Sequence, residues 1–373
     1  MAQFEIIATL RAVKDSDNFS AFEVRDFNSG WQNTRYRFNA ISGNNRFMLE
    51  IGGGKWIDDK KNQILTFARA EAGKKPEKLT VKWEDRRNPE IIDKVAGYRI
   101  YTCNLLTFDE RKALEDEGRE DEAKKKNHQF LEKTEFAALV KRVIDSGKYV
   151  DAKFRILGTV DFQYSAKNNQ FYRTLSVDKM YRVADDTPCK AEMTLNAFYT
   201  DSAIDAESYD DTKKYFFNCY TDHYFSAVKG NRFVPLTLVI NGNGDEKAEK
   251  KAMAFKKMFE KFEDEATVRK VGLVCQMIDG AESVAIQYSD LDEETRDNID
   301  MGLISEEDAI KALGGNMMGN RVTEYRVQSL SRTSAKGSEP TVYTEDDIRK
   351  LPVIEEIEEE VDIFNKDEEE DDI

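Results

Sequence analysis

The 373-residue chain predicts a mainly β fold with added helices (α+β): two regions of short strands, a helical connector between them, and an acidic tail. Three observations point there. Runs in which apolar and polar residues alternate are separated by turns rich in Asn, Asp and Gly, the mark of half-buried strands. Two stretches switch to the i, i+3, i+4 spacing of helices. The last twenty residues hold twelve acids and one lysine, a like-charge run that repels itself and resists folding.

The elements follow in order. Phe4, Ile6, Ala8 and Leu10 share one face of a first strand, and Asp15–Asn18 marks a turn. An extended run resumes at Ala21–Arg25, and Asn28-Ser29-Gly30 turns the chain again. Tyr36, Phe38 and Ala40 then face inward and Arg35, Arg37 and Asn39 outward. After a turn at Gly43-Asn44-Asn45, Phe47, Leu49 and Ile51 continue the inner face. Further apolar runs at 64–68, 79–83 and 98–103 complete a small barrel or sandwich. A charged stretch over 109–126 leads to a helix carrying Phe136, Leu139, Val140, Val143 and Ile144, stopped at Ser146-Gly147.

A second β region opens with Ala152, Phe154, Ile156, Val160, Phe162 and Tyr164, alternating around a bulge expected at Gly158, and returns after a turn at 167–170 through Phe171, Arg173, Leu175 and Val177. Strands are expected over 191–198, 215–224 and 233–240. A helix over 246–262 has Ala248, Ala252, Phe255, Phe259 and Phe262 on one stripe. A hairpin of 268–277 and 283–288 turns at Asp279-Gly280. A capping box at Ser305–Asp308 starts a helix that Gly314-Gly315 stops, and 328–342 reads as a polar linker. A weak internal repeat relates Ile7–Val24 to Ile156–Val177, favouring two β domains over one large sheet. The resulting division is 1–105, a β domain; 106–147, a helical connector; 148–289, a second β domain; 290–353, short helices and linker; and 354–373, a disordered acidic tail.

The net charge of −16 looks hostile to any polyanionic partner until it is divided. Residues 1–105 carry 18 basic against 14 acidic side chains, a balance of +4, whereas 354–373 alone carry −11. Most of the excess belongs to a detachable segment. Four scattered cysteines fit a reducing cytosol and show no disulfide framework, and only two histidines leave little for a His-rich metal site or a Ser-His-Asp triad. No 18-residue apolar run and no signal-peptide pattern occur, so neither a membrane partner nor export is expected. Gly52-Gly53-Gly54-Lys55 lacks the spacing and the Ser or Thr of a phosphate loop, and reads as a loop cluster at a strand end. No enzyme signature, cofactor motif or metal motif is present.

What remains is cations interleaved with aromatics on strands. In the first β region these are Arg25, Arg35, Arg37 and Arg46 with Trp31, Tyr36, Lys55 and Trp56. In the second they are Phe162, Tyr164, Lys167, Tyr172, Arg173, Lys179 and Arg182, then Tyr224, Lys229 and Arg232. A surface that binds single strands without reading sequence needs both components: cations for the phosphates and flat rings for the bases. The chain's 3 Trp, 15 Tyr and 22 Phe must also supply the core, so many of these rings are structural.

Two such β domains, with a terminal Asp-Glu-Glu-Glu-Asp-Asp-Ile, resemble single-stranded-DNA-binding proteins, especially bacteriophage ones built on oligonucleotide-binding (OB) folds. Lys148–Val160 and its return strand look like the opening hairpin of an OB barrel. The resemblance implies two OB-like barrels and a non-enzymatic viral protein of the host cytoplasm that coats single-stranded DNA during replication or recombination. It also implies an acidic C-terminal tail that competes for the DNA groove or recruits replication or recombination proteins. Many tails of the family end in an aromatic or Pro-Phe, whereas this one ends in Ile373, with Phe364 as its aromatic. The rival expectation is a structural or interaction β protein of a particle or complex.

Overall fold

The structure is a computed structural model that describes residues 1–16, 19–70, 73–262, 267–285, 288, 291–312 and 316–353. The acidic segment 354–373 and the Gly314-Gly315 stop lie outside the described residues. Along the chain run β1 (Gln3–Ala12), β2 (Phe22–Asp26), β3 (Trp31–Ser42), β4 (Asn45–Trp56), β5 (Gln63–Phe67), β6 (Lys78–Lys82), α1 (Pro89–Ile92), β7 (Tyr101–Asn104), α2 (Phe108–Asp116), α3 (Glu120–Lys126), β8 (Asn127–Phe130) and α4 (Lys133–Asp145). Next come β9 (Lys153–Ser165), β10 (Gln170–Arg182), β11 (Lys190–Tyr199), β12 (Ile204–Asp205), α5 (Tyr209–Thr212), β13 (Lys214–Phe225), β14 (Gly230–Asn241) and α6 (Glu246–Phe259). The chain continues through β15 (Arg269–Ala285), α7 (Glu293–Asp300), α8 (Glu306–Ala312), β16 (Asn316–Leu330), β17 (Glu339–Pro340) and α9 (Glu345–Arg349). The mainly β, α+β class expected from the alternation is what the chain adopts.

Strand pairing closes two five-stranded rings of identical order. In the first, β1 pairs antiparallel with β3 and β9, β3 with β4, and β9 with β10. The third strand then meets the fifth in parallel, Leu49 opposite Leu175 and Glu50 opposite Ser176, which shuts the ring. In the second, β11 pairs with β13 and β15, β13 with β14, and β15 with β16, and β14 meets β16 in parallel at Val239 and Arg326. A helix joins third strand to fourth in each. α4 inserts Phe136, Ala137 and Val140 into the core, and α6 does so with Ala252, Phe255 and Phe259. Both start on an acidic cap: Glu132 accepts from the Thr134 and Glu135 amides, Asp245 from Ala248.

These rings cut the chain differently from the 1–105 and 148–289 boundaries. Residues 153–182, placed by the sequence in the second region, supply the last two strands of the first ring, and the second ring spans 190–330. Pairing partners far apart in sequence leave no local trace, which is why the partition was missed. The Ile7/Ile156 repeat likewise relates two parts of one ring. The N-terminal half of β1 also pairs with β11, so both rings share a sheet and a continuous apolar core.

Other local expectations also change. Gly52–Gly54 lie inside β4, paired with Arg35, Thr34 and Asn33, not in a loop. The irregularity near Gly158 is an extra residue, Asp178, on β10: Val177 faces Gly158 and Lys179 faces Leu157. Asp279-Gly280 is no turn, because β15 runs through it to pair with β16, and Gln328–Leu330 end that strand rather than begin a linker. A strand reading over 98–100 gives way to a short helical turn at Gly97–Arg99. Between β4 and β7 sits a small insert, the β5–β6 hairpin and α1, packed on its own cluster of Val81, Ile92, Val95, Ile100 and Leu131.

Candidate nucleic-acid interface

The β2–β3–β4 sheet has one face in the first ring's core and one outside. The two-residue turn Gly43-Asn44 sets Ser42 opposite Asn45, and every later pair follows by counting: Arg37 with Glu50, Arg35 with Gly52, Asn33 with Gly54, Trp31 with Trp56. Across β2, Arg25 stands opposite Asn33. Paired residues share a face, and Thr34, Tyr36 and Phe38 point into the core. Arg25, Trp31, Arg35, Arg37, Arg46 and Trp56 are therefore brought to one outer surface. Exposed Met48 joins them.

The geometry on this face is specific. The two indoles meet edge to face, centroids 5.3 Å apart at 82°. Trp31 lies over Gly54, where an added Cβ would come within 2.6 Å of the ring. Lys61 stands 5.9 Å above the Trp56 ring, and Arg25 lies 5.0 Å over Phe27. Glu50 bridges two arginines: Arg37 Nε donates to Oε2 at 2.9 Å, and Arg35 Nε lies 3.1 Å from Oε1. Among 72 acids this carboxylate did not stand out in the sequence, although the Gly43-Asn44 register places it directly across from Arg37.

Other expected contacts belong elsewhere. Tyr36 is core, stacked on Phe38 at 5.5 Å, and burial raises its phenol above the ordinary range. Phe162 is also buried, edge-on to His223 at 5.5 Å. Lys55, one residue out of phase with Trp56, points to the opposite face over Trp83, whose ring Arg86 covers at 4.2 Å while donating to Glu135 at 3.0 Å. Lys179 donates to the Gly97 carbonyl at 2.9 Å, and Arg182 donates to Glu110 at 2.9 Å. The insert and α2 supply those partners, so neither cation serves the outer face. Tyr164 is half-buried, and its hydroxyl donates to Asn169 at 2.7 Å.

The remaining residues gather at a second place. The tips of the β9–β10 and β13–β14 hairpins lie side by side, Phe171 against Phe225 with centroids 6.2 Å apart. Lys167, Tyr172, Tyr224 and Lys229 are exposed there. Asn168 donates to the Tyr172 hydroxyl at 2.7 Å, and Arg173 lies 4.9 Å over the Tyr325 ring of β16. Arg232, half-buried and opposite His223, donates to the Asn231 carbonyl. Among the described residues no group of three or more His, Cys, Asp or Glu is arranged to hold a metal ion, and no helix is long and apolar enough to cross a membrane.

No protein-family model matches the chain, and no curated protein does. Among solved structures it is similar to the wild-type single-stranded DNA binding protein from Thermus aquaticus, at 7% identity and a TM-score of 0.30, over 75% of this chain and 85% of that one. A deletion mutant of the same protein aligns at 8% identity and a TM-score of 0.28, over 75% and 87%. Overlap this loose transfers no residue roles.

Proposed function

We propose that the chain is a non-enzymatic single-stranded-DNA-binding protein that coats the strand during replication or recombination, in a phage-infected cell. The observation that carries this reading is the outer face of β2–β3–β4, where Arg25, Arg35, Arg37 and Arg46 share one surface with the Trp31–Trp56 pair. Arginines hold phosphates and indoles accept stacked bases, about 1–3 kcal/mol for each base stacked. Each ring is read as an OB barrel: five strands, a helix between third and fourth, and a parallel contact between third and fifth. In such barrels the second and third strands and the loop between fourth and fifth bind oligonucleotides. Here those are β3, β4 and the turn holding Lys167. In the second ring Tyr224 and Lys229 stand at the tip between the second and third strands. The acidic segment 354–373 is assigned the role of competitor for this surface or recruiter of replication proteins.

The test is a titration with oligo-dT followed by tryptophan fluorescence over a range of salt. Stacking quenches Trp31 or Trp56, and log affinity falls against log salt by about 0.7 per phosphate neutralised. Binding with no salt dependence, or none at low salt, removes the proposal in favour of a structural role.

A further inference from the structure

Two arginines on adjacent positions of the outer face share one carboxylate. Glu50 reaches across from β4 and divides its oxygens, Oε2 accepting from Arg37 Nε at 2.9 Å and Oε1 lying 3.1 Å from Arg35 Nε. A carboxylate and a phosphodiester present guanidinium groups with the same two-oxygen edge, so a place that fits one fits the other. Solvent reaches the cluster from the Arg35 side, with side-chain exposures of 34% for Arg35, 19% for Glu50 and 16% for Arg37, which also donates to the Ser20 carbonyl at 3.3 Å. The Arg35–Glu50 pair, the more exposed of the two, is the weaker hold and exchanges the more readily.

The neighbouring glycines show where the carboxylate can go. Gly53 and Gly54 are required by packing, since a Cβ would sit 2.9 Å from Lys133 Cβ in the first case and overlap the Trp31 ring in the second. Gly52 has no such need. A Cβ there would meet only Glu50 Oε1, at 3.5 Å, an ordinary contact. Glycine inside a strand weakens it and marks close approach by a ligand or another chain. Here it leaves open space immediately beside the carboxylate. We infer that Arg35 and Arg37 form a seat for one phosphate of the bound strand, and that Glu50 fills the seat until the incoming phosphate turns it aside over Gly52. The inference rests on the reading of this face as a nucleic-acid surface.

The test uses the full chain and labelled oligo-dT. Glu50→Gln and Glu50→Ala raise the local charge from +1 to +2, enough for about one more phosphate. Affinity should tighten about threefold or more at 50 mM salt, and the log–log slope should steepen by about 0.7. Asp116→Asn, the same charge change on exposed α2, should leave binding unaltered. Gly52→Val keeps every charge but closes the space for the carboxylate, and should weaken binding several-fold in a protein that melts like the parent. Should the wild type bind while both Glu50 variants bind equally or more weakly, Glu50 merely orients the arginines and the inference fails. Gly52→Val binding like the parent overturns the displacement as well. A wild type that ignores oligo-dT is a different result, which removes the nucleic-acid reading itself.

Discussion

Replacing Gly158 with alanine should destabilise the protein by about 2 kcal/mol, although glycine in a strand is ordinarily a weakness. Removing a strand glycine returns about 0.5–1 kcal/mol. At this position the added Cβ would overlap the Ser176 carbonyl oxygen and stand 2.7 Å from the Phe4 ring. Neither neighbour yields easily. Ser176 belongs to β10, pinned by pairs on both sides of the extra residue Asp178, and Phe4 is buried between the rings. Overpacking of this kind costs about 1–3 kcal/mol, and a strand pushed aside loses hydrogen bonds worth about 1 kcal/mol each. The cost outweighs the gain. Gly97→Ala is the control, since nothing lies within 4 Å of its added Cβ and its backbone is not left-handed, so it should be neutral or slightly stabilising. Urea unfolding followed by circular dichroism reads both. A Gly158→Ala protein as stable as the parent would refute the close approach of β9 and β10, and with it the first ring as described.

Two further outcomes follow from the same geometry. The Tyr36 hydroxyl is buried without a hydrogen-bond partner among the described residues, so Tyr36→Phe should leave oligo-dT affinity unchanged and hold or raise the urea midpoint; weakened binding in a normally stable variant would return Tyr36 to the interface. Burial alone would raise the Glu5 carboxyl, but Arg155 at 2.9 Å and Lys190 at 3.5 Å outweigh it and hold the group below its ordinary value. A carboxylate depressed on folding stabilises above its unfolded pKa of about 4.3 and loses that contribution as pH falls below it. The melting difference between wild type and Glu5→Gln should therefore favour wild type at neutral pH and close in acid, and a difference constant across that range contradicts the assignment.

Much of the candidate surface was legible because a strand's faces are a local property. Period-two alternation put Arg35 and Arg37 outside and Phe38 inside, and the Gly43-Asn44 turn carried that parity to β4. The same rule faces Tyr36 inward and sets Lys55 out of phase with Trp56, so neither side chain reaches the outer face. Lys179 and Arg182 miss it for another reason. Their partners, the Gly97 carbonyl and Glu110, arrive from 72 or more residues away in sequence, and nothing local announces them.

The amino-acid sequence by itself determined the class, most of the strands and helices, and the inner and outer faces of β3 and β4 around Arg35, Arg37 and Phe38, since those follow from neighbours a few residues apart. Tertiary structure decided how the strands close. It moved 153–182 into the first ring, made β1 the seam between the two, and set Glu50 between two arginines. Ring closure depends on pairing and burial between distant segments, and that information resides in the packed whole.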